Sequence, residues 1–499
     1  MPLGRVIEIH ARQKPETLAV SQSDFSLTYG ALHDLILRLD SALRDCPTRP
    51  RQGIDLPENG RVFAVTLGNS GSALPLLATA LATGHAAQVM DPALPEARLA
   101  EMLKTLPPDV LFCLPTQGLL IDTAHALGIP AITDLSVFAQ TTPANPLPYH
   151  PKHSFLIGYT SGTTSQPKAF ARARRTWRIS LDASRDAFGL GLTSHTLAPG
   201  PLAHGITLYA LAETLDAGAT FYSLPHFDTK AAAEFLKKTN RIVAVPTMLE
   251  ALCGSRKGFG QVENVTTAGA KLSPALLGRL HHTFPSATIY EYYGASELGF
   301  VSLNRHLITG SWAPSQSVGR PFAHVDLSIR HGGHELPQGE TGAIHIRADL
   351  AIDGYLSKAT TTGFRRDQDW ATVGDLGRID QDGNLHLMGR EGGMVITAGH
   401  NVYPQEVETA ISSLSGVTGA VVFGVPDAMR GQRLIAVVSG SISRDALRMH
   451  LKDILPNYKI PRHFYNIDAW PYTGSGKIAR ATLLTWLQQK DARLVPITA

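Results

Sequence analysis

The sequence predicts an α/β protein: a large N-terminal domain of mixed sheets flanked by helices, with a β-barrel-like part, followed by a small α+β C-terminal domain. Three observations carry this. The first half alternates helix-like segments with short apolar, β-branched runs, the pattern of parallel strands joined by helices. The stretch "GGHELPQGETGAIHIRA" has closely spaced turns and period-two alternation, which point to antiparallel or barrel-like structure. From Tyr403 the order becomes helix, strand, strand, helix, strand, helix, enough for a separate small domain. At 499 residues the chain also exceeds what one core usually supports.

In chain order, "ALHDLILRLDSAL" reads as helix, "RVFAVTLG" as strand, "ALPLLATALATG" as helix and "AAQVMD" as strand. Further on, "RIVAVPTM", "NVTTAGA" and "ATIYEYYG" are apolar or β-branched runs that end in loops, where α/β folds place ligand groups. The C-terminal pattern comprises "YPQEVETAISSL", "GAVVFGV", "RLIAVVSG", "SRDALRMHLKDIL", "RHFYNID" and "KIARATLLTWLQQK". The boundary falls in "GREGGM", giving domains of residues 1–389 and 390–499.

Composition narrows the function. Charged residues make up 17% and the net charge is +3, with no long run of one sign, so neither a nucleic-acid arm nor a disordered acidic tail is indicated. Cys46, Cys113 and Cys253 lie far apart without metal spacing, and an odd count argues against a secreted disulfide framework. The N-terminus has no signal-peptide pattern and no stretch reads as a membrane span; the apolar "SALPLLATALATG" is short and Ala-rich, like a buried helix. A reducing cytosol and a small partner are the expectation.

The loop "YTSGTTSQPKAF", Tyr159–Phe170, follows the strand-like "SFLIG". It lacks Walker spacing, which disfavours an ordinary P-loop ATPase. Its consecutive N–H groups and hydroxyls would form an anion nest, and Lys168 adds a positive charge suited to phosphate. "TSGTT" followed by "PK" resembles the signature of the adenylate-forming superfamily of acyl- and aryl-CoA ligases, luciferases and peptide-synthetase adenylation domains. The superfamily's other motifs appear in its order: "YYGASE" at Tyr292–Glu297, "VGD" at Val373–Asp375, "GREGG" from Gly389, and "GSGK" ending at Lys477. Upstream, "ARQKPETLAV", "LTYGAL" and "DPALPEARLAEML" look like the family's opening segments, so the resemblance covers nearly the whole chain.

The resemblance implies a reaction in which a carboxylate joins the α-phosphate of ATP, pyrophosphate leaves, and the acyl group passes from the adenylate to a thiol. Two anions must be held together, the work of positioned donors, a lysine and Mg²⁺. By the resemblance Thr160, Ser161, Gly162, Thr163 and Thr164 cradle the triphosphate, with Lys168 supporting the loop. Glu297 carries Mg²⁺, and Tyr292, Tyr293, Gly294, Ala295 and Ser296 belong to the same nucleotide motif. Asp375 accepts from the ribose hydroxyls, Glu291 meets the adenine amine, and Gly269 and Ala270 form the adenine-flanking turn. Lys477 is the expected catalyst of adenylation, a point charge on the transition state that rotation of a mobile small domain later withdraws.

This chain departs from the family pattern in places. Ser165 and Ala169 replace common glycines. In the hinge Arg390 is kept, but Gly392 stands where Asp or Lys is usual and Gly393 where an acid is common, so the acidic partner that would orient Arg390 is expected to be absent.

For the acid, counting back from "LDAGA" at the end of the pocket helix reaches Gly205, where amino-acid-activating relatives have an Asp; an α-amino acid is therefore not expected. His204 resembles the family's pocket-gating residue beside the nascent adenylate, and Gly399 the glycine lining the thiol route. The expected acceptor is CoA, the alternative being the phosphopantetheine of a separate carrier protein. No fused carrier domain is expected, since the chain ends soon after Lys477. The basic "RARRTWR" at Arg172–Arg178 would meet the CoA 3′-phosphate or an acidic carrier helix, or else be a solvated helix face.

Overall fold

The computed structural model describes residues 3–51, 53–160, 168–254, 258–307, 317–356, 363–397, 400–427, 429, 431–473 and 476–498. Its largest sheet has a parallel centre, built from Thr288–Ala295, Asn264–Ala268, Arg241–Val243, His195–Leu197, Thr220–Tyr222 and Leu18–Ser21 in spatial order. Antiparallel strands flank this centre, Gly299–His306 and then Arg320–Pro321 on one side and Ser26–Thr28 on the other. A second sheet runs Ala131–Ile132, Val110–Phe112, Val62–Val65, Ala86–Val89, Ser154–Thr160, Lys168–Ala173, parallel except for the final hairpin.

The two sheets face one another across a shared apolar layer. The helix Ala73–Ala82 is buried at every position, as a helix apolar all round must be. It packs in one core cluster with Phe63 and Phe112 of the second sheet, Phe221 of the first, and Leu208, Leu211 and Leu215 of the helix Gly205–Asp216. Asn69 pins the seam: its amide donates to the carbonyls of Gly200 and Leu224, and its carbonyl oxygen accepts from Leu202 N–H.

Between Asp326 and Arg390 the described strands pair antiparallel throughout, forming the barrel-like part with the core of Ile329, Ile344, Ile346 and Leu385. Its last strand, Leu385–Arg390, is followed by Val395–Thr397, which belongs to the C-terminal sheet. There Val417–Asp427 and Gly431–Gly440 form a long hairpin, and His463–Asn466 runs parallel to the second of them. The helices Pro404–Ser412, Arg444–Ile454 and Arg480–Gln489 complete a unit with its own apolar clusters. Among the described residues no helix is long and apolar enough to cross a membrane.

The basic run Arg172–Arg178 is corrected here. It is neither a patch for phosphate nor a solvated face. Arg172 closes the strand Lys168–Ala173 from inside and donates to the carbonyls of Leu350 and Ser296 at 2.5 and 2.6 Å. Arg174 donates to the carbonyls of Ala80 and His85, and Arg178 pairs with Asp182 and Asp216. Burial lowers the guanidinium of Arg172 to about 10 and that of Arg174 to about 9. Arg172 and Arg174 are thus spent on interior carbonyls and Arg178 on two carboxylates, while the half-exposed Arg175 lies 3.7 Å from the exposed Asp353.

Candidate active site

Three neighbouring parallel strands, Arg241–Val243, Asn264–Ala268 and Thr288–Ala295, end on the same side of the large sheet, where open α/β sheets bind ligands. The middle one runs into Gly269, whose φ of 95° is the left-handed region that glycine tolerates. Ser273 then caps the helix Pro274–Thr283 by accepting from Leu276 N–H, with proline at the first turn, which fixes the exit of the turn. The third strand folds back at Gly294–Glu297 into Gly299–His306. A Cβ on Gly294 would lie 2.4 Å from the Gly299 carbonyl oxygen, so the hairpin closes only with glycine there.

Glu297 sits half-buried in this bend. The Tyr355 hydroxyl donates to its Oε1 at 2.6 Å and also bonds the Thr160 hydroxyl. Burial and then the Glu297 carboxylate push the Tyr355 phenol up to about 12. Lys168 opens the return strand opposite Thr160, and its Nζ lies 5.2 Å from the centre of the Tyr355 ring. Tyr355 thus joins the end of the phosphate-loop hairpin to the acidic motif.

Asp375 is clamped from two sides. The Tyr293 hydroxyl donates to Oδ2 and Arg390 Nε to Oδ1, each at 2.6 Å. Burial opposes the charge of Arg390, but Asp375 outweighs it and holds the guanidinium above its usual value. Arg390 therefore has an acidic partner, contrary to the expectation for the hinge: Asp375, fifteen residues earlier, takes the role, while Glu391 pairs with Arg365. Gly392 adopts a φ of +79°, and Gly393 N–H donates to the Arg390 carbonyl in a tight turn.

Lys477 reaches this group from the C-terminal unit. Its Cε lies 3.6 Å from where a Cβ on Gly269 would stand. The loop is docked by Thr247, whose hydroxyl donates to the Gly476 carbonyl at 3.1 Å. Lys477 remains open to solvent within the cleft. The surrounding protein and the Arg390 charge pull its ammonium below the ordinary lysine value, while Asp375 and Glu297 pull the other way. Carboxylates, guanidinium and ammonium thus share one electrostatic field at the ends of the three strands.

Other predicted positions fall as follows. Gly269 and Ala270 lie exposed at the rim, as does Ser296, whose carbonyl holds Arg172. Ala295 and Tyr292 are partly buried beside it. Ala169 pairs within its hairpin opposite Tyr159, so no glycine is needed there. Glu291 does not fit the adenine role. It is 2% exposed, and its carboxylate accepts from Lys271 at 2.5 Å, Leu272 N–H at 2.7 Å and His306 at 3.1 Å. Burial opposes its charge, yet Lys271 and these hydrogen bonds hold the carboxyl below its usual range. His204 precedes the helix Gly205–Asp216 and meets Asp91 of the facing sheet, Nε2 to Oδ2 at 3.2 Å, a bond that lowers the Asp91 carboxyl. Ser161, Gly162, Thr163, Thr164, Ser165 and Gly399 lie outside the described residues.

Sequence reasoning missed Tyr355, Asp91 and Thr247. Asp91 stands in the "DPALPEARLAEML" segment and Thr247 in "RIVAVPTM", so both lay inside stretches already singled out; Tyr355 lay in none.

Comparison with known proteins shows the family. The family model for AMP-binding enzymes matches residues 7–356, and that for the AMP-binding enzyme C-terminal domain matches residues 406–477. The chain belongs to the AMP-binding enzyme family. This AMP-binding enzyme is 32% identical to YhfT of Bacillus subtilis, described as an uncharacterized acyl–CoA ligase, over 96% of this chain and 97% of the relative. It is 30% identical to VraA of Staphylococcus epidermidis, a putative long chain fatty acid–CoA ligase, over 66% of this chain and 71% of that one. In fold it resembles ATP-bound MatB of Rhodopseudomonas palustris, with a TM-score of 0.84, 24% identity and coverage of 96% and 99%. It also resembles the o-succinylbenzoate CoA synthetase MenE of Bacillus subtilis with its acyl-adenylate, at a TM-score of 0.80, 22% identity and 99% of both chains.

Proposed function

We propose that this AMP-binding enzyme is an acyl–CoA ligase. It activates a carboxylic acid with ATP to the acyl-adenylate, releasing pyrophosphate, and transfers the acyl group to the thiol of CoA. The observation that carries the reading is the meeting of Lys477 with Gly269, Glu297, Asp375 and Arg390, drawn from distant parts of the chain. Attack of the carboxylate oxygen on the α-phosphorus forms the acyl–phosphate bond and breaks the bond to pyrophosphate. Negative charge grows on the non-bridging oxygens, and Lys477 is the cation placed to stabilise it. Asp375, oriented by Tyr293 and Arg390, keeps acceptor capacity for ribose hydroxyls. The α-ammonium grip of amino-acid-activating relatives is missing at Gly205, which supports a substrate that is not an α-amino acid.

The residues fit a magnesium ion bound mainly through nucleotide oxygens. Glu297 is one carboxylate, half-buried, beside the Thr160 hydroxyl, and Mg²⁺ takes few protein ligands. Glu297 and Thr160 would hold it, and it would neutralise phosphate charge. We place the division between domains at 389 and 390, with rotation about Gly392 exchanging Lys477 for the thiol route. The names of the relatives favour CoA over a carrier protein as acceptor.

The test is AMP and pyrophosphate release by purified protein with ATP, Mg²⁺ and a panel of acids, each with and without CoA. An acid that turns over only with CoA and yields a thioester supports the ligase. Adenylate formation that CoA never accelerates would transfer the acceptor role to a carrier protein.

A further inference from the structure

We propose that the protein carries a second small-molecule site, remote from the strand ends that meet Lys477, and that this site takes a phosphate monoester of a hydroxylated ring, the class of sugar phosphates and nucleoside monophosphates. The inference goes beyond the ligase reading and does not depend on it.

A cleft of about 520 Å³ opens between the helix Arg174–Phe188 and the edge of the large sheet formed by Gly299–His306 and Arg320–Pro321. That volume falls within the range of about 300–1,000 Å³ usual for ligand sites. From Gly299, beside the bend that holds Glu297, the strand runs about 20 Å before Arg305 reaches the cleft, so the two sites lie at opposite ends of one hairpin. One wall of the cleft is helical. Ala183, Asp186 and Ala187 fall at i, i+3 and i+4 on one face, and the two alanines leave the space that larger side chains would fill. The other wall is the sheet. Leu303 pairs with Arg320, which puts both on one face, and Arg305, two residues beyond Leu303, shares it. Phe322, buried and stacked on Phe300 at 4.9 Å, gives the lining an aromatic part.

Charge selects the occupant. Arg305 is held in place: its Nη2 donates to the Ala187 carbonyl at 3.0 Å, and its guanidinium carbon lies 5.7 Å from the centre of the Tyr290 ring. Arg320, His324 and Asp186 also line the cleft and are exposed, and none of their side chains has an ion-pair or hydrogen-bond partner among the described residues. Two guanidiniums against one carboxylate leave the cleft positive. The forked donors of arginine match phosphate oxygens, and a phosphate monoester, a dianion at neutral pH, suits two of them. Asp186, on the helical wall, is an acceptor only, so the same ligand must also bring donors, which the hydroxyls of a sugar supply. A bare anion would meet Asp186 with repulsion alone. The alanines and Phe322 offer apolar contact to the body of a ring.

The experiment is isothermal titration calorimetry on the full-length protein, its active site filled with saturating α,β-methylene ATP and Mg²⁺. The titrants are uridine monophosphate, ribose 5-phosphate, phenyl phosphate, inorganic phosphate and uridine. They are compared on wild type, Arg320→Ala, Asp186→Ala and the cleft-filling Ala187→Trp. The nucleotide and the sugar phosphate should bind the wild type, and uridine should not. Arg320→Ala should weaken both about tenfold or more, the scale of a hydrogen bond to a charged group, and Ala187→Trp should abolish binding. Asp186→Ala should weaken the nucleotide and the sugar phosphate but not phenyl phosphate, which has no hydroxyl to donate. Adenylation without these titrants should be equal in all four proteins. No binding of either ester at millimolar concentration, uridine as tight as its phosphate, or affinities unchanged by Arg320→Ala would overturn the proposal. So would inorganic phosphate bound as tightly as the esters, the mark of an adventitious ion only. Should Ala187→Trp not fold, Arg320→Ala at its exposed position decides. Failure of the wild type to adenylate any acid would remove the ligase reading and leave this site standing.

Discussion

Lys477 is a lone ammonium in a Gly-Ser-Gly loop, and its neighbours give it meaning. Lys477→Ala should reduce adenylate formation by about 100-fold or more, the scale of removing one transition-state donor, while transfer from supplied acyl-adenylate to CoA survives. Separate assays of the two half-reactions check this; equal loss in both would refute the assignment. Glu297→Gln should raise the Mg²⁺ concentration needed for half-maximal adenylation, measured by titrating the metal at fixed ATP, because it removes a carboxylate from the phosphate side of the site. At this scale the motifs single out Lys477, Glu297 and Asp375, and the structure brings these three charges to one place. Tyr355 was not legible, because a tyrosine in a loop shows no partner until Glu297 and Thr160 are brought to its hydroxyl. Glu291 was misread for the same reason: its position in the motif is visible, but Lys271 and His306 are not.

The strand Thr288–Ala295 works through both its faces. One alternate set, Ile289, Glu291 and Tyr293, points inward, and Glu291 ties this strand to the Gly269 turn through Lys271 and Leu272 and to the neighbouring strand through His306. Glu291→Gln should therefore destabilise the fold by about 3 kcal/mol at neutral pH, because it leaves buried donors without their charged acceptor. The carboxyl is lowered in the folded state, so its contribution is fully present above the unfolded value of about 4.3 and is lost as pH falls through the folded one. Thermal melts of both proteins should accordingly differ most near pH 7 and converge in acid; a gap independent of pH would argue against an ionised Glu291. The existence of this strand was legible from "ATIYEYYG". The inward role of its acid was not, since alternation alone does not say which face of a strand meets a lysine.

Across the whole molecule, the site is assembled from both sheets of the large domain, the barrel-like part and the C-terminal unit. The arrangement seen, with Lys477 at Gly269 and Thr247 docking Gly476, has Gly392 at a φ of +79°. Proline is fixed near −65° and cannot adopt that angle. Gly392→Pro should therefore slow adenylation at least about tenfold, a barrier increase of about 1.4 kcal/mol, relative to transfer from supplied adenylate. Pre-steady-state measurement of the two steps checks it, and an unaltered ratio would show that this turn is not the pivot.

By itself the sequence determined the family, the order of elements and the ends of the strands that carry the motifs. These depend on local periodicity, turn residues and short motifs, which are properties of neighbouring residues. Only the tertiary structure decided which charges meet: Asp375 with Arg390, Asp91 with His204, Glu213 with Arg241, and the basic run Arg172–Arg178 turned inward. The partner of a charge is set by contacts between residues far apart in the chain, and no local pattern encodes it.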